Sequence, residues 1–457
     1  MTNRLRASQV PSSLAASHSR FPLHVYLHCA TSVEYLAELN ASIPGVEHYA
    51  ERALLLAERG DLVCVPDEVD PAYLEYLSEL GIGPAPGNLL VASRFGGSDP
   101  SAPLWLRLLQ SEEALAALSC SIQRRGSGWL HPFIATQGQF DLAAALQRRS
   151  GVAVQVGSGH PDVVTHADRK HNVRARAIEL GVPVARGEVV DLRVEREWRR
   201  QEALLRQAIE RQMPETGRVI VRGSAGAAGS ATFSVQSHDE IPALTRRLAA
   251  SADNHIYLVE SMVEMTVSPN VQMYIGRGAG AIRCGGTTDQ RWERPLIHGG
   301  NSFPSSARRM ADMLGWSRTL AEWLQRSGYS GVAGFDFVEY NDRAGEPQAF
   351  LAEVNPRTNG ATYPLRLRRR LNVAQREAAY PEVRAFVSGT VESDAGSFAA
   401  LREMWDEHLF CAKRGTGLVP YMPGLLRHGK CGVVALAGPR QEAEQLYQQA
   451  SASPAAV

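Results

Sequence analysis

Apolar and polar positions fall in short alternating blocks along most of the chain. Between residue 21 and about 160, the apolar runs LHVYLHC, DLVCVP, WLHPFIA and VAVQV are separated by stretches of helical periodicity at 46–59 and 72–80. Gly81 closes the second helical stretch, and the alternation predicts an α/β layer with a partly parallel sheet. Residues 83–103, dense in Gly, Pro and Ser, read as a loop. A second unit begins near Thr165 with a helix over 167–180 closed by Gly181, then the extended GVPVARGEVV and a charged helix over 194–212. Next comes RVIVRGSAGAAGSATFSV, with glycines at 223, 226 and 229. A dinucleotide-binding loop would lead into a helix, but ATFSV alternates as a strand, so the loop is a hairpin tip. Bare backbone amides in such a tip can approach phosphate oxygens, and a merely flexible loop is the alternative. A strand over 256–259 then ends at Glu260, and an apolar link through Met262 and Val263 leads to a strand from Val271. Such a link either clamps a flat heterocycle or simply joins two domains.

The most informative stretch is GVAGFDFVEYNDRAGEPQAFLAEVNPRTNG, residues 331–360. Two β-rich runs, 332–340 and 348–355, flank a polar turn segment at 341–347, which predicts a hairpin. Glu353 and Asn355 are two apart and share a face, and a turn near Ala344 or Gly345 puts Asp336 within one register step of Glu353. Three oxygen ligands converging from adjacent strands suit a hard cation such as Mg²⁺. A solvated acidic hairpin is the other reading of the same residues.

Composition narrows the partners. Lys+Arg and Asp+Glu are both 48, so net charge recommends neither nucleic acid nor an anionic membrane. Lys170, Lys413 and Lys430 are the only lysines, which makes each a candidate for a place that wants a compact ammonium. The six cysteines (29, 64, 120, 284, 411, 431) have no CxxC and no Cys/His ligand spacing, which predicts a reduced, cytoplasmic protein without structural zinc. No apolar run has the ~18 residues of a membrane span. Residues 1–20 read as a disordered leader and 451–457 as a frayed tail. His24, His28 and His131 read as structural. Gly424 to Cys431, GLLRHGKC, imitates a phosphate-binding loop, but Cys431 replaces the metal-ligating Ser or Thr, and a strand follows where a helix should begin.

The order of these features carries a resemblance. A helix bearing Lys170, a Gly-rich hairpin, a strand ending in Glu260 with an apolar link, and Asp336 followed by Glu353-Val354-Asn355-Pro356-Arg357 resemble the ATP-grasp superfamily and its E-x-N-x-R signature. The N-terminal unit and GTGLVPYMPGLLRHGKCGVVAL are similar to the pre-ATP-grasp, pheganomycin-type peptide ligase branch. The resemblance implies an α/β (α+β) ATP-grasp fold with an N-terminal Rossmann-like pre-ATP-grasp domain at 21–164. A central lid domain at 165–265 and a C-terminal core with its extension at 266–450 would follow.

The resemblance also implies roles. Asp336, Glu353 and Asn355 would bind Mg²⁺, with two ions expected and Mn²⁺ a substitute. Arg357, Lys170 and Arg222 would be the catalytic cations. The ATP-binding set would be Lys170, Arg222, Ser224, Gly226, Gly229, Ser230, Glu260, Ser261, Val263 and Glu264. Arg222 departs from the superfamily's usual Lys, and Ser268-Pro269-Asn270 stands where a second ribose-binding acid often falls. Arg291, His298 and Asn301 are candidates for orienting a substrate carboxylate. The expected activity is ADP-forming ligation of a small-molecule carboxylate to an amine or peptide in natural-product biosynthesis, through an acyl phosphate. A carboxylate–thiol ligase loading a carrier protein and a non-catalytic nucleotide-binding module are the rivals, and a homo-oligomer is compatible with either.

Overall fold

The computed structural model describes residues 21–29, 43–95, 99, 102–226, 231–250, 255–278, 280–294 and 297–452. The first apolar runs build a five-stranded parallel sheet: β1 (Leu23–Leu27), β2 (Leu62–Val65), β3 (Leu89–Val91), β4 (Gly128–Pro132) and β5 (Val154–Val156), in the order β3-β2-β1-β4-β5. Strand β3 lies inside the Gly/Pro-rich stretch expected to be a loop. Three residues are enough to extend an existing parallel sheet, and they carry too little periodicity to be seen beforehand. The segment Val46–Leu55 is helical as expected but is wound as a 3₁₀ helix.

The middle of the chain forms a four-stranded antiparallel sheet of β6 (Gly187–Asp191), β7 (Val219–Gly223), β8 (Thr232–Val235) and β9 (Ile256–Ser261), ordered β6-β9-β7-β8. The β7–β8 hairpin is the one predicted for the Gly-rich loop. The expected single helix over 167–180 is two helices, Pro161–Asp168 and Lys170–Glu179, broken at Arg169 in an extended conformation. Nothing in HADRK is a helix breaker. At the break the Lys170 N–H donates to the Ser224 carbonyl (3.1 Å), a contact sequence spacing cannot show.

The rest forms a nine-stranded sheet from β10 (Met265–Val267), β11 (Pro269–Ile275), β12 (Ile282–Arg294), β13 (Ile297–Phe303), β14 (Gly331–Asn341), β15 (Pro347–Asn355), β16 (Ala385–Glu392), β17 (Gly417–Tyr421) and β18 (Lys430–Ala437). Its path is β10-β14-β11-β12-β13-β16-β18-β17, with β15 on the free side of β14. One face of β14 buries Ala333, Phe335 and Phe337 with Leu351 and Val354 of β15 in an apolar core, so Gly334 and Asp336 face the opposite side, and a register irregularity between Leu351 and Glu353 turns Glu353 to that side as well. The phosphate-loop look-alike is a 3₁₀ turn, Pro423–His428, leading into β18, as its context required.

A further core joins the first α/β unit to the C-terminal strands. Phe398 is fully buried there, with its ring edge-on to Tyr73 at 5.1 Å between centroids. Phe398→Ala should therefore cost about 3–5 kcal/mol, the usual loss for emptying a buried aromatic site, read as a lower urea midpoint. A loss under ~1 kcal/mol would mean that the two regions do not share a core.

Candidate functional site

Strands β14 and β15 pair with Asp336 directly opposite Glu353 and Gly334 opposite Asn355, one step closer than the sequence required. The two carboxylates are backed by an apolar core, so the surroundings must manage their charge. Asn270 of β11, opposite Asp336, donates from Nδ2 to Asp336 Oδ1 (2.5 Å), and Asn355 Nδ2 donates to Oδ2 (2.8 Å). Burial, then the neighbouring Glu353 charge, pushes the Asp336 carboxyl up to about 7 against the hydrogen bonds from Asn270 and Gln290 and the charge of Arg357. For Glu353 burial is again the largest influence and acts upward, but Lys170, Arg357 and Arg222 together outweigh it and hold the carboxyl below its ordinary value.

Lys170 opens its helix and points across to this pair. Its ammonium lies 3.1 Å from Glu353 Oε1 and donates to the Gly226 carbonyl at 3.2 Å, which ties the Gly-rich hairpin to the acidic one. Gly226 has φ +135°, a backbone setting that favours glycine. Ser224 is buried, with Oγ 2.5 Å from His171 Nδ1. Gly229 and Ser230 lie outside the described residues. The Arg357 guanidinium sits 4.0 Å from Asp168 and over the Phe133 ring at 5.6 Å, so the first α/β unit also reaches the site.

Arg222 does not extend into open space. Its Nε and Nη2 donate to Glu260 Oε2 (2.9 and 2.6 Å), and its Nη1 donates to the Ala352 carbonyl (2.8 Å). The other oxygen of Glu260 takes Arg174 Nη1 at 3.0 Å, so both oxygens of this buried carboxylate are engaged by arginines. In the link beyond it, the Ser261 and Met262 amides donate to the carbonyls of Arg186 and Arg218. Among the described residues, the Val263 amide has no backbone acceptor. Glu264 is exposed. A cleft of about 520 Å³ runs along this link, lined by Ser261, Met262, Val263 and Glu264 together with Tyr340 and Gln348. It reaches the expected base-reading residues but not Asp336 or Glu353.

Of the three substrate candidates, two adjoin the signature loop. A side chain on Gly360 would sit 3.2 Å from His298 Cε1 and 3.3 Å from Asn301 Nδ2, so both residues back the loop that follows Arg357. Burial lowers the His298 pKa, with Asn301 partly opposing it, and keeps the imidazole neutral near pH 7. Arg291 lies apart. Its neighbour Gln290 faces Asp336, so alternation turns Arg291 to the other side, where its guanidinium stacks on Tyr447 at 4.1 Å.

Sequence reasoning missed several members of the site. Gln272 links Asn270 Oδ1 to Asn359 Oδ1, both at 2.7 Å, and accepts from Thr362 Oγ1 at 3.0 Å, completing a buried amide network behind the carboxylates. The two-residue spacing of Asn270 and Gln272 marked a shared polar face, but not which strand it met. Arg174 stands one helical turn from Lys170, a spacing that could have paired them. The three structural histidines behave as expected. His24 and His131 share a 2.7 Å contact, and burial holds His28 and His131 neutral.

With this geometry in view, comparisons place the fold. Residues 50–148 match the family described as Pre ATP-grasp domain. No curated protein matches the sequence. Among solved structures, an N5-carboxyaminoimidazole ribonucleotide synthetase in complex with ADP is similar over 93% of this chain and 95% of its own, at TM-score 0.54 and 12% identity. A biotin carboxylase from Campylobacter jejuni is similar over 94% and 91% at TM-score 0.57 and 13% identity. The Staphylococcus aureus N5-carboxyaminoimidazole synthetase complexed with ADP covers 94% and 98% at TM-score 0.53 and 12% identity. The chain thus has the ATP-grasp fold with a pre-ATP-grasp domain in front of it, as the resemblance implied.

The donor set fits Mg²⁺: two carboxylates and an amide oxygen on one face, with one carboxyl raised by burial and then by the neighbouring charge, which a cation would offset. A raised Asp336 means that the cation-free folded protein holds a proton that the unfolded chain releases. The Asp336 contribution to stability should therefore fall as pH rises from about 4 to 7. Mg²⁺ must displace that proton, so calorimetric Mg²⁺ affinity should climb about tenfold per pH unit below ~7 and level above it. A flat profile from pH 5 to 8 would contradict the assignment.

Proposed function

We propose that this protein is an ATP-dependent ligase that joins a carboxylate to an amine and releases ADP and phosphate. The observation that carries the reading is the direct register of Asp336 with Glu353, with Lys170 bridging Glu353 to the Gly-rich loop. A carboxylate is a poor electrophile; attack on the γ-phosphate of ATP converts it into an acyl phosphate, and an amine then displaces phosphate to form the amide. Phosphoryl transfer asks the protein chiefly for positioning and for cations around spreading negative charge. Asp336, Glu353 and Asn355 would hold Mg²⁺, two ions in the full reading, with Mn²⁺ able to substitute, and the metal would neutralise phosphate charge.

The cations then divide their work. Lys170 is the residue placed to touch phosphate directly, because its ammonium already spans the two hairpins. Arg222 is committed to Glu260 and the Ala352 carbonyl, so its contribution to the nucleotide is its field and the fixing of the link that reads the base. Arg357 serves the acyl phosphate, and His298 and Asn301 shape the loop that carries it. Ser224 and Gly226 belong to a flap that keeps water from the acyl phosphate. The substrates on this reading are an amino acid or similar carboxylate and an amine or peptide, in natural-product assembly within the cytoplasm. No helix among the described residues is long and apolar enough to cross a membrane.

Incubating the enzyme with Mg²⁺, ATP and paired amino acids and short peptides, and following ADP release, tests the reaction class. Acceleration by an amine supports the ligase, acceleration by a phosphopantetheinyl thiol would move the reading to a thiol ligase, and ATP binding without ADP from any pair would leave a nucleotide-binding module. Glu353→Gln should abolish ADP formation while circular dichroism stays native, since it removes charge and keeps shape. Near-normal turnover in that variant would sink the metal assignment.

A further inference from the structure

Where the first α/β unit meets the C-terminal strands, two 3₁₀ helices lie against each other and bring Glu47, His48 and His428 together. One ligand atom from each lies within 4.8 Å of the other two. His48 Nε2 and His428 Nε2 are 3.8 and 3.9 Å from Glu47 Oε1. We propose that these three side chains form a binding site for a first-row divalent cation of the zinc type, separate from the Mg²⁺ residues, which fastens the C-terminal segment to the N-terminal unit.

Three features distinguish the cluster from a chance surface ion pair. The first is orientation. His48 Nδ1 is 3.1 Å from Glu51 Oε1, so a carboxylate fixes the tautomer and leaves Nε2 free to ligate, the arrangement that metal-bound imidazoles use. Glu51 is only 3% exposed, and its second oxygen accepts from the Gly424 amide at 3.1 Å, so the orienting group is itself held from the opposite segment. The second is the 3₁₀ winding. At three residues per turn, positions 48 and 51 stack in line, which an α-helix would not do as closely. The third is space. A β-carbon on Gly45, where φ is +79°, would come within 2.6 Å of His428 Cδ2, and one on Gly424 would collide with the His48 ring. Both glycines therefore let the imidazoles approach.

The donor chemistry selects the ion. Two imidazoles and one carboxylate suit Zn²⁺ and its neighbours, whereas Mg²⁺ prefers the all-oxygen set at Asp336 and Glu353. A tetrahedral ion with bonds of about 2.0–2.1 Å wants ligand atoms about 3.3 Å apart. Glu47 and His428, 46% and 33% exposed, have room to close the half ångström or so on the two Glu47 pairs and the gap between the imidazoles, which lie within 4.8 Å, with water as the fourth ligand. The cysteine and histidine spacing excluded local zinc motifs only; these ligands come from segments 380 residues apart.

The test uses the full-length protein, stripped with chelator and titrated with ZnCl₂ against a chromophoric competitor in excess Mg²⁺. One equivalent should bind, and the thermal midpoint should rise with it. His428→Ala, at a partly exposed position, should weaken Zn²⁺ affinity at least 100-fold and remove the thermal response, while Glu51→Gln should weaken it by about 10–100-fold by releasing the His48 ring. No bound equivalent in excess Mg²⁺, or equal affinity in the wild type and His428→Ala, would overturn the site. Neither outcome bears on the ligase reading.

Discussion

Two carboxylates set side by side on an apolar-backed hairpin are the constraint that the rest of the site answers. Asp336 and Glu353 cannot both stay charged there without compensation. The structure compensates twice. Lys170, drawn from a helix 183 residues earlier, pairs with Glu353 and pulls the Gly-rich loop along through Gly226. Amides from Asn270, Asn355 and Gln290 surround Asp336, yet its carboxyl is still raised to about 7. That residual strain is what a divalent cation would relieve. This is the ground for the proposal that the site takes metal and polyphosphate rather than being a self-sufficient salt-bridge network.

A second buried cluster sets the geometry around the first. Glu260 holds Arg222 and Arg174, and through Arg222 it reaches the carbonyl of Ala352, next to Glu353. The strand that ends at the apolar link is thereby tied to the strand that carries Glu353 and Asn355. A further tie joins the same regions where the Leu351 amide donates to the Pro183 carbonyl at 2.8 Å. On the proposed reading, this buried triad of Arg174, Arg222 and Glu260 would set the distance between the base and phosphate ends of a nucleotide. The planar fork of Arg222 donates to the Glu260 carboxylate and the Ala352 carbonyl at once, in the fixed geometry of a guanidinium.

Much of this was legible beforehand because the relevant chemistry is local. Strand alternation puts Glu353 and Asn355 on one face whatever the fold, and the turn between 341 and 347 limits where Asp336 can fall. The Gly-rich hairpin declared itself by the strand that follows it. What could not be read was nonlocal. The break at Arg169, the partners of Glu260, the amide network of Asn270 and Gln272 and the meeting of His48 with His428 all depend on which distant strands pair. Strand β3 was hidden for a different reason: three residues cannot show a period. Arg291 drew attention by polarity alone, and polarity does not say which face of a strand a side chain takes.

The central claim is that Asp336 and Glu353 jointly hold the metal of a bound nucleotide. A crystal structure of the protein soaked with Mg²⁺ and ADP tests it most directly. The account predicts metal density about 2.0–2.1 Å from carboxylate oxygens of both residues, with the Lys170 ammonium on phosphate. Nucleotide bound with its metal elsewhere, and Lys170 still closed on Glu353, would contradict it.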